Sequence, residues 1–304
     1  MLNPVYIKAT TIPDAWHSLI MSILDNGKPF KIDEGSYAGD YRLEFDFVTV
    51  QIVHPECRPF EPELPIDMQT AGIPAPVAPG YVDEYVSYIM TAERKPDENY
   101  TYGQRLNAAE WFRLSTPPDQ FSFVEKVSFD QIAHVIAKYR TGKVRNNQLC
   151  MSVAGPGDML LNDPPCLQLI DTRIQDGKLH FVAYFRSWDL WGGFPANLAG
   201  LQLLKEYMAG EIGIEPGETI GVSKGLHLYK YVWELAEMRR RKTGYVAKFL
   251  EQISDNPACP CCGARTLRFQ WYEVDPQYQY WYCLDCDNAG RKFLFVRFGG
   301  VWLD

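Results

Sequence analysis

Two Cys-x-x-Cys pairs near one end of the chain constrain its folding more than any other feature. Cys259 and Cys262 form the first pair, within Cys259-Pro260-Cys261-Cys262-Gly263, and Cys283 and Cys286 form the second after 20 intervening residues. Four thiolates on two tight turns at this spacing match a tetrahedral zinc site, because the amides of each turn can support the sulfurs. The segment between the pairs carries Phe269, Trp271, Tyr272, Tyr280, Trp281 and Tyr282, as the strands of a zinc ribbon would. Cys261 lies inside its turn and is read as a bystander. Buried or redox-active thiols are the competing reading. Five of the eight cysteines fall in the last 46 residues, whereas a secreted disulfide scaffold would spread them through a short chain. A segment of about 50 residues rarely builds enough core alone, so stability is the metal's first job.

The remaining sequence has room for one large core, which places the expected boundary between residues 1–253 and a ribbon over 254–304. A formal charge of −8 disfavours nucleic acid as a partner, and the ribbon segment, with six acidic and five basic side chains, adds no basic footprint. Its aromatics could stack on single strands, but a structural or protein-contact role is favoured. No apolar run approaches the roughly 20 residues that span a bilayer. No basic-then-apolar leader opens the chain, so a soluble, cytoplasmic protein is expected.

Tyr41–His54 alternates like a strand, and seven prolines between Pro55 and Pro79 then predict an extended surface loop. Helices are expected over Val82–Ala92, Asp130–Arg140 and Pro195–Gly210. Cys166–Tyr184 reads as a hairpin turning at Gln175-Asp176-Gly177-Lys178, since Asp-Gly supplies the positive φ of a type I′ turn. Glu215-Pro216-Gly217-Glu218 reads as a turn before a short strand at Thr219–Val222. A long helix is expected from about Tyr229 to Ile253, with Arg239-Arg240-Arg241-Lys242 on a solvated face.

Three elements carry chemistry. Asp163-Pro164-Pro165-Cys166 presents a thiol after two prolines that hold the approach extended. Arg186-Ser187-Trp188-Asp189-Leu190-Trp191-Gly192-Gly193-Phe194-Pro195-Ala196-Asn197 sets an arginine, a hydroxyl, a carboxylate and an amide around a glycine-bearing loop that opens a helix. His227-Leu228-Tyr229 places two polar rings on one side of a strand. With Tyr102-Gly103 upstream, this combination, in order and spacing over roughly residues 100–235, resembles the thymidylate synthase family. The proline-rich insertion looks more like its divergent archaeal and phage branch. Family members are α+β proteins with a mixed sheet and packed helices, and they form homodimers through their sheets.

The resemblance implies an enzyme that carries a one-carbon unit from methylenetetrahydrofolate to C5 of a pyrimidine nucleoside monophosphate. Cys166 would add to C6 of the base. A free thiol has a pKa of about 8.5, so Arg186 would supply the cation that favours thiolate and also bind the nucleotide phosphate, with Ser187 beside it. Asn197 can both donate and accept, which suits N3 and O4 of uracil; aspartate stands at this position in related deoxycytidylate hydroxymethylases. His227 and Tyr229 would hold the sugar 3′-hydroxyl. Asp189 and Gly193 would contact the folate, and Tyr102 joins the catalytic set. Glu84 is the candidate general acid/base, with Glu44 the runner-up, and Arg145 resembles an arginine that family dimers donate to the phosphate.

The chain also departs from the pattern. Leu167 replaces the histidine that follows the family's cysteine, Asn146 replaces the arginine expected after Arg145, and the Asp33-Glu34-Gly35 region is acidic where a phosphate-loop arginine would stand. A zinc ribbon takes the place of the tail that closes over the folate. Water admitted there would yield a hydroxymethylated product, so methylation of dUMP and hydroxymethylation of dUMP, dCMP or CMP both stand as readings. A third is an inactive homologue that binds partners through its ribbon.

Overall fold

A six-stranded mixed sheet carries the part of the chain in which the candidate site lies. The computed structural model describes residues 1–35, 37–65, 68–69, 73–115, 123–142, 147–240, 258–263, 267–270, 278–283, 286, 294–298 and 301–303. Two compact units divide the chain: Met1–Pro62 with Pro76–Leu228, and Glu63–Ala75 with Tyr229–Asp304. The α+β class is as expected.

In the first unit, β1 (Pro4–Ala9), α1 (Ile12–Asn26), β2 (Lys28–Lys31), β3 (Tyr41–Glu44) and β4 (Phe47–Ile52) come first. They are followed by α2 (Tyr81–Ile89), α3 (Tyr102–Asn107), β5 (Ala109–Ser115), β6 (Phe123–Phe129), α4 (Gln131–Arg140) and β7 (Cys150–Ser152). The segments β8 (Leu167–Gln175), β9 (Lys178–Phe185), β10 (Trp188–Asp189), α5 (Gly193–Ile212), β11 (Glu215–Ser223) and β12 (Leu226–Tyr229), whose last residue is the first of the second unit, follow. The large sheet runs β1-β4-β11-β9-β8-β7, a smaller one runs β10-β12-β3-β2, and β5 pairs with β6. Alternation builds the core: Leu179, Phe181, Ala183 and Phe185 of β9 and Val48, Val50 and Ile52 of β4 are buried, and their neighbours in sequence are not. Helix α5 is buried along most of its length, and α1 contributes Trp16, Leu19, Ile20 and Ile23. No helix among the described residues is long and apolar enough to cross a membrane.

Three local expectations are corrected. The strand-like run from Tyr41 to His54 is two strands in two sheets. It breaks at Phe45–Asp46, where the Asp46 carboxylate accepts from the Asn3 amide at 2.8 Å and pairs with Lys28. Glu215–Glu218 is not a turn but the start of β11, with a bulge between Pro216 and Thr219. The buried Lys205 of α5 explains it: its ammonium donates to the carbonyls of Gly217 (2.6 Å) and Glu218 (3.2 Å) and to Thr219 Oγ1 (2.6 Å). Carbonyls turned out of the ladder by the bulge thus acquire a donor, as buried backbone requires. The helix expected from Tyr229 begins later, because β12 runs to Tyr229 and a 3-10 turn fills Lys230–Val232 before α6 (Trp233–Arg240). Residues 241–253 lie outside those described.

In the second unit, β13 (Leu267–Gln270), β14 (Tyr278–Cys283), β15 (Leu294–Phe298) and β16 (Val301–Leu303) make an antiparallel sheet in chain order.

Close packing singles out one glycine of the Tyr-Gly element. A Cβ on Gly103 would lie 2.2 Å from the Tyr88 carbonyl oxygen and 2.3 Å from that of Thr91, so α3 packs backbone-to-backbone on the end of α2. Gly103→Ala should therefore lower Tm by several degrees, from about 1–3 kcal/mol of overpacking. Gly210→Ala, where a Cβ meets nothing within 4 Å on helix α5, should leave Tm unchanged or raise it slightly. Thermal melts of the two variants check the contrast.

Candidate active site

The β8–β9 hairpin assembles the centre of the site. Asp176 and Gly177 both have positive φ (53° and 73°), as the Asp-Gly turn requires, and the register ends with Leu167 opposite Phe185. The residues just beyond that last pair, Cys166 and Arg186, are thereby neighbours, and the Arg186 amide donates to the Cys166 carbonyl at 2.8 Å. The Arg186 guanidinium donates to the carbonyls of Pro165 (3.1 Å) and Pro164, and reaches Asp163 at 3.4 Å. The two prolines thus present their carbonyls as a rigid seat for the arginine. Across from them, the Tyr102 hydroxyl accepts from the Leu167 amide at 3.1 Å, and burial holds the phenol protonated.

The thiol itself differs from expectation. Cys166 is half-buried, and burial pushes its pKa up; Arg186 pulls it down, but by less, and Asp163 and Asp189 add to the rise. Burial outweighs the pull of the guanidinium, so in the unliganded protein the protonated thiol is favoured over the thiolate at neutral pH.

The glycine-bearing loop is organised by Asp189. One of its oxygens accepts from the amides of Gly192 (3.0 Å) and Gly193 (2.9 Å), and the other from Trp191 (3.2 Å), at the start of α5. A Cβ on Gly193 would lie 3.2 Å from the Asp189 Cβ, so glycine lets the loop wrap the carboxylate closely. Strands β10 and β12 run parallel with Asp189 opposite His227. His227 is buried, which lowers its pKa to about 4, and its Nδ1–H donates to the Gly225 carbonyl at 2.8 Å, leaving Nε2 in acceptor form. Tyr229 closes β12. Ser187 is half-buried in the turn after β9.

Asn197, on the first turns of α5, is held at both ends of its amide. Its Oδ1 accepts from Trp188 Nε1 at 3.1 Å, and its Nδ2 donates to the Tyr85 hydroxyl at 2.8 Å. Neither Tyr85 nor Trp188 was legible as a site residue: Trp188 reads as one apolar ring within a polar motif, and Tyr85 as part of an amphipathic helix.

The two carboxylates differ in environment. Glu84 is exposed on the first turn of α2, lining an open cleft of about 590 Å³ with Asp83, Ser87, Tyr88 and Thr91. Glu44 is half-buried and paired with Arg42 at 2.6 Å, and burial raises its pKa. It lies beside Gly225, against which the Arg186 carbonyl and Ser187 also pack. Arg145 lies outside the described residues.

Residues 83–260 match the thymidylate synthase family profile. The chain belongs to the thymidylate synthase family. A provisionally named thymidylate synthase of Methanosarcina acetivorans is 33% identical over 233 residues, covering 76% of this chain and 92% of that protein. A similarly named protein of Methanosarcina barkeri is 30% identical over the same share of each. The thymidylate synthase of Listeria monocytogenes is 28% identical over 200 residues, 63% of this chain and 60% of its own. Thymidylate synthases use a pyrimidine nucleotide and methylenetetrahydrofolate, so a folate-dependent one-carbon transferase is the activity class.

This family member also gathers Cys259, Cys262, Cys283 and Cys286, whose ligand atoms all lie within 4.8 Å of one another. Cys259 and Cys286 approach to 3.7 Å and Cys262 and Cys283 to 3.6 Å, sulfur to sulfur. Zinc–sulfur bonds of about 2.3 Å in a tetrahedron imply edges of roughly 3.8 Å, so the cluster is compatible with zinc. The amides of Cys261 and Cys286 donate to the sulfurs of Cys259 and Cys283, both at 3.4 Å, as the turns were expected to do. Cys261 is exposed and outside the cluster.

The raised pKa of Cys166 has a direct consequence. Its thiolate fraction is small at pH 7 and grows as pH rises toward the elevated value, so alkylation by iodoacetamide should keep accelerating with pH beyond the point at which an ordinary exposed thiol levels off. Arg186→Ala removes the lowering influence and should move that profile to still higher pH. Peptide-resolved alkylation rates across pH 6–10 check both.

Proposed function

We propose that the chain is a thymidylate synthase that converts dUMP to dTMP through a covalent adduct on Cys166. The observation that carries this reading is the junction of Cys166 with Arg186, one residue beyond the last pair of the β8–β9 ladder. In the unliganded protein Arg186 is engaged with the proline carbonyls, and a bound phosphate would draw it beside the thiol, favouring thiolate when substrate is present. The sulfur adds to C6, and the electron pair moves toward C5 and O4, making C5 the nucleophile. Tyr102, kept protonated and bonded to the amide of Leu167 next to Cys166 in the chain, would offer its hydroxyl as a hydrogen-bond donor in the site. Methylenetetrahydrofolate supplies the one-carbon unit and, in methylation, the hydride that reduces it.

Arg186 and Ser187 bind the phosphate, with Arg145 reaching it across a dimer. His227, with Nε2 as acceptor, and Tyr229 receive the sugar 3′-hydroxyl. A carboxylate has about four acceptor positions, and Asp189 uses three on backbone amides, which leaves capacity for a pterin N–H beside Gly193. Glu84 is proposed as the general acid/base, with Glu44 as its alternative. Homodimerisation uses the outer face of the large sheet, where Val182 and Tyr184 of β9 and their register partners Ile220 and Val222 of β11 are half-exposed apolar side chains.

Residues 1–253 are assigned to catalysis and 254–304 to a ribbon that zinc stabilises. A working thiol and a four-thiolate site both suit the reducing cytoplasm.

Incubation with dUMP and methylenetetrahydrofolate, followed by mass analysis of the nucleotide, should yield dTMP with dihydrofolate, and Cys166→Ala should abolish product while still binding nucleotide. A hydroxymethylated nucleotide with tetrahydrofolate would make the protein a hydroxymethylase, and absence of either product would contradict the proposal. Metal analysis should find one zinc per chain, and chelation or Cys283→Ser should lower Tm; metal-free protein of unchanged stability would contradict the ribbon's role.

A further inference from the structure

We propose that Trp188 and Tyr85 are positioning residues that fix the sense of the Asn197 amide, and that the indole N–H of Trp188 thereby excludes cytosine from the base site. This deepens the proposed function and rests on Asn197 as the residue that reads the base.

An indole nitrogen is a donor and never an acceptor. The atom of Asn197 that faces Trp188 Nε1, at 3.1 Å, must therefore be the amide oxygen. The amide nitrogen is then turned to the Tyr85 hydroxyl at 2.8 Å, which can accept from it. These two bonds use one lone pair of the oxygen and one N–H of the nitrogen. One lone pair and one N–H remain, which is the pair that a two-point contact with a base edge takes.

Uracil presents a donor at N3 and an acceptor at O4, so this amide meets it without adjustment. Cytosine presents the reverse, an acceptor at N3 and a donor at N4. Binding it would require the amide to turn over, which would point its NH2 at the indole N–H. Two donors would then face each other in a half-buried site, and leaving a buried polar group unpaired costs more than a typical hydrogen bond gains. Tyr85 imposes no such choice, because a hydroxyl can donate or accept. The discrimination comes from the indole alone, and Tyr85 supplies the second anchor.

Both rings are built into the fold. Trp188 is buried, stacked on Phe185 with ring centroids 3.9 Å apart and planes 9° from parallel, and it packs against Phe194 at 4.7 Å. Strand β11 carries Gly221 where a Cβ would lie 3.0 Å from the indole, and α5 carries Gly200 where a Cβ would lie 2.5 Å from the Tyr85 ring. Each ring fills a notch that a side chain would close, so neither can swing away to relieve a mismatched amide.

The test measures binding of dUMP and dCMP to the full-length protein by calorimetry. Replacing Trp188 with its benzothienyl analogue, which keeps the ring and substitutes sulfur for N–H, should cut the preference for dUMP by about tenfold or more. Trp188→Phe should do the same, and circular dichroism with Tm verifies folding of either protein. Tyr85→Phe should weaken dUMP binding while leaving the preference in place, a split that a merely structural role would not produce. A folded benzothienyl protein with unchanged preference would overturn the inference while leaving the enzyme assignment intact. Wild-type protein that binds neither nucleotide would instead overturn the proposed function.

Discussion

The register of a single hairpin is the constraint on which the site depends. An Asp-Gly turn with both residues at positive φ sets the pairing of β8 with β9, and a slip of one residue would turn every side chain of the pair to the opposite face. A shift of register between Leu169 and Leu167 then brings Leu167 rather than Gln168 opposite Phe185, so the thiol and the guanidinium just past that pair meet at the open end of the ladder. The next residues along the chain, Trp188 and Asp189, pair in parallel with β12, so the same hairpin also delivers the carboxylate to His227.

Around that junction the protein invests in fixing polar groups rather than leaving them to solvent. Asp189 is satisfied by three backbone amides, Asn197 is held at both ends, and Arg186 rests on two proline carbonyls. Half-buried polar groups of this kind contribute little net stability each but are costly when mispaired, so they select one arrangement of the loop. The same logic operates away from the site at Lys205, whose buried ammonium sustains the bulge in β11.

Much of this was legible in the sequence for identifiable reasons. Asp176-Gly177 announced the hairpin because few other dipeptides accept its backbone. The four clustering cysteines were legible because metal geometry restricts their spacing. Other features depend on groups far apart in the chain. Nothing local to Glu215-Pro216-Gly217-Glu218 reveals that a lysine of α5 will receive its carbonyls. The break at Phe45–Asp46 likewise depends on the Asn3 amide and Lys28. Arg186 was expected to supply the cation that favours thiolate at Cys166, but the depth of the thiol, which raises its pKa, follows only from tertiary packing. The partners of Asn197 were hidden for the same reason, since Tyr85 approaches it across more than 100 residues of sequence.

The central claim is that the sulfur of Cys166 bonds to the nucleotide ring, and trapping that bond tests it most directly. With 5-fluoro-dUMP and methylenetetrahydrofolate, the fluorine cannot depart as the C5 proton does, so the adduct should persist through denaturation. Mass spectrometry should then find nucleotide and folate together on the peptide that contains Cys166. A denatured protein without added mass, or one modified at another cysteine, would contradict the claim.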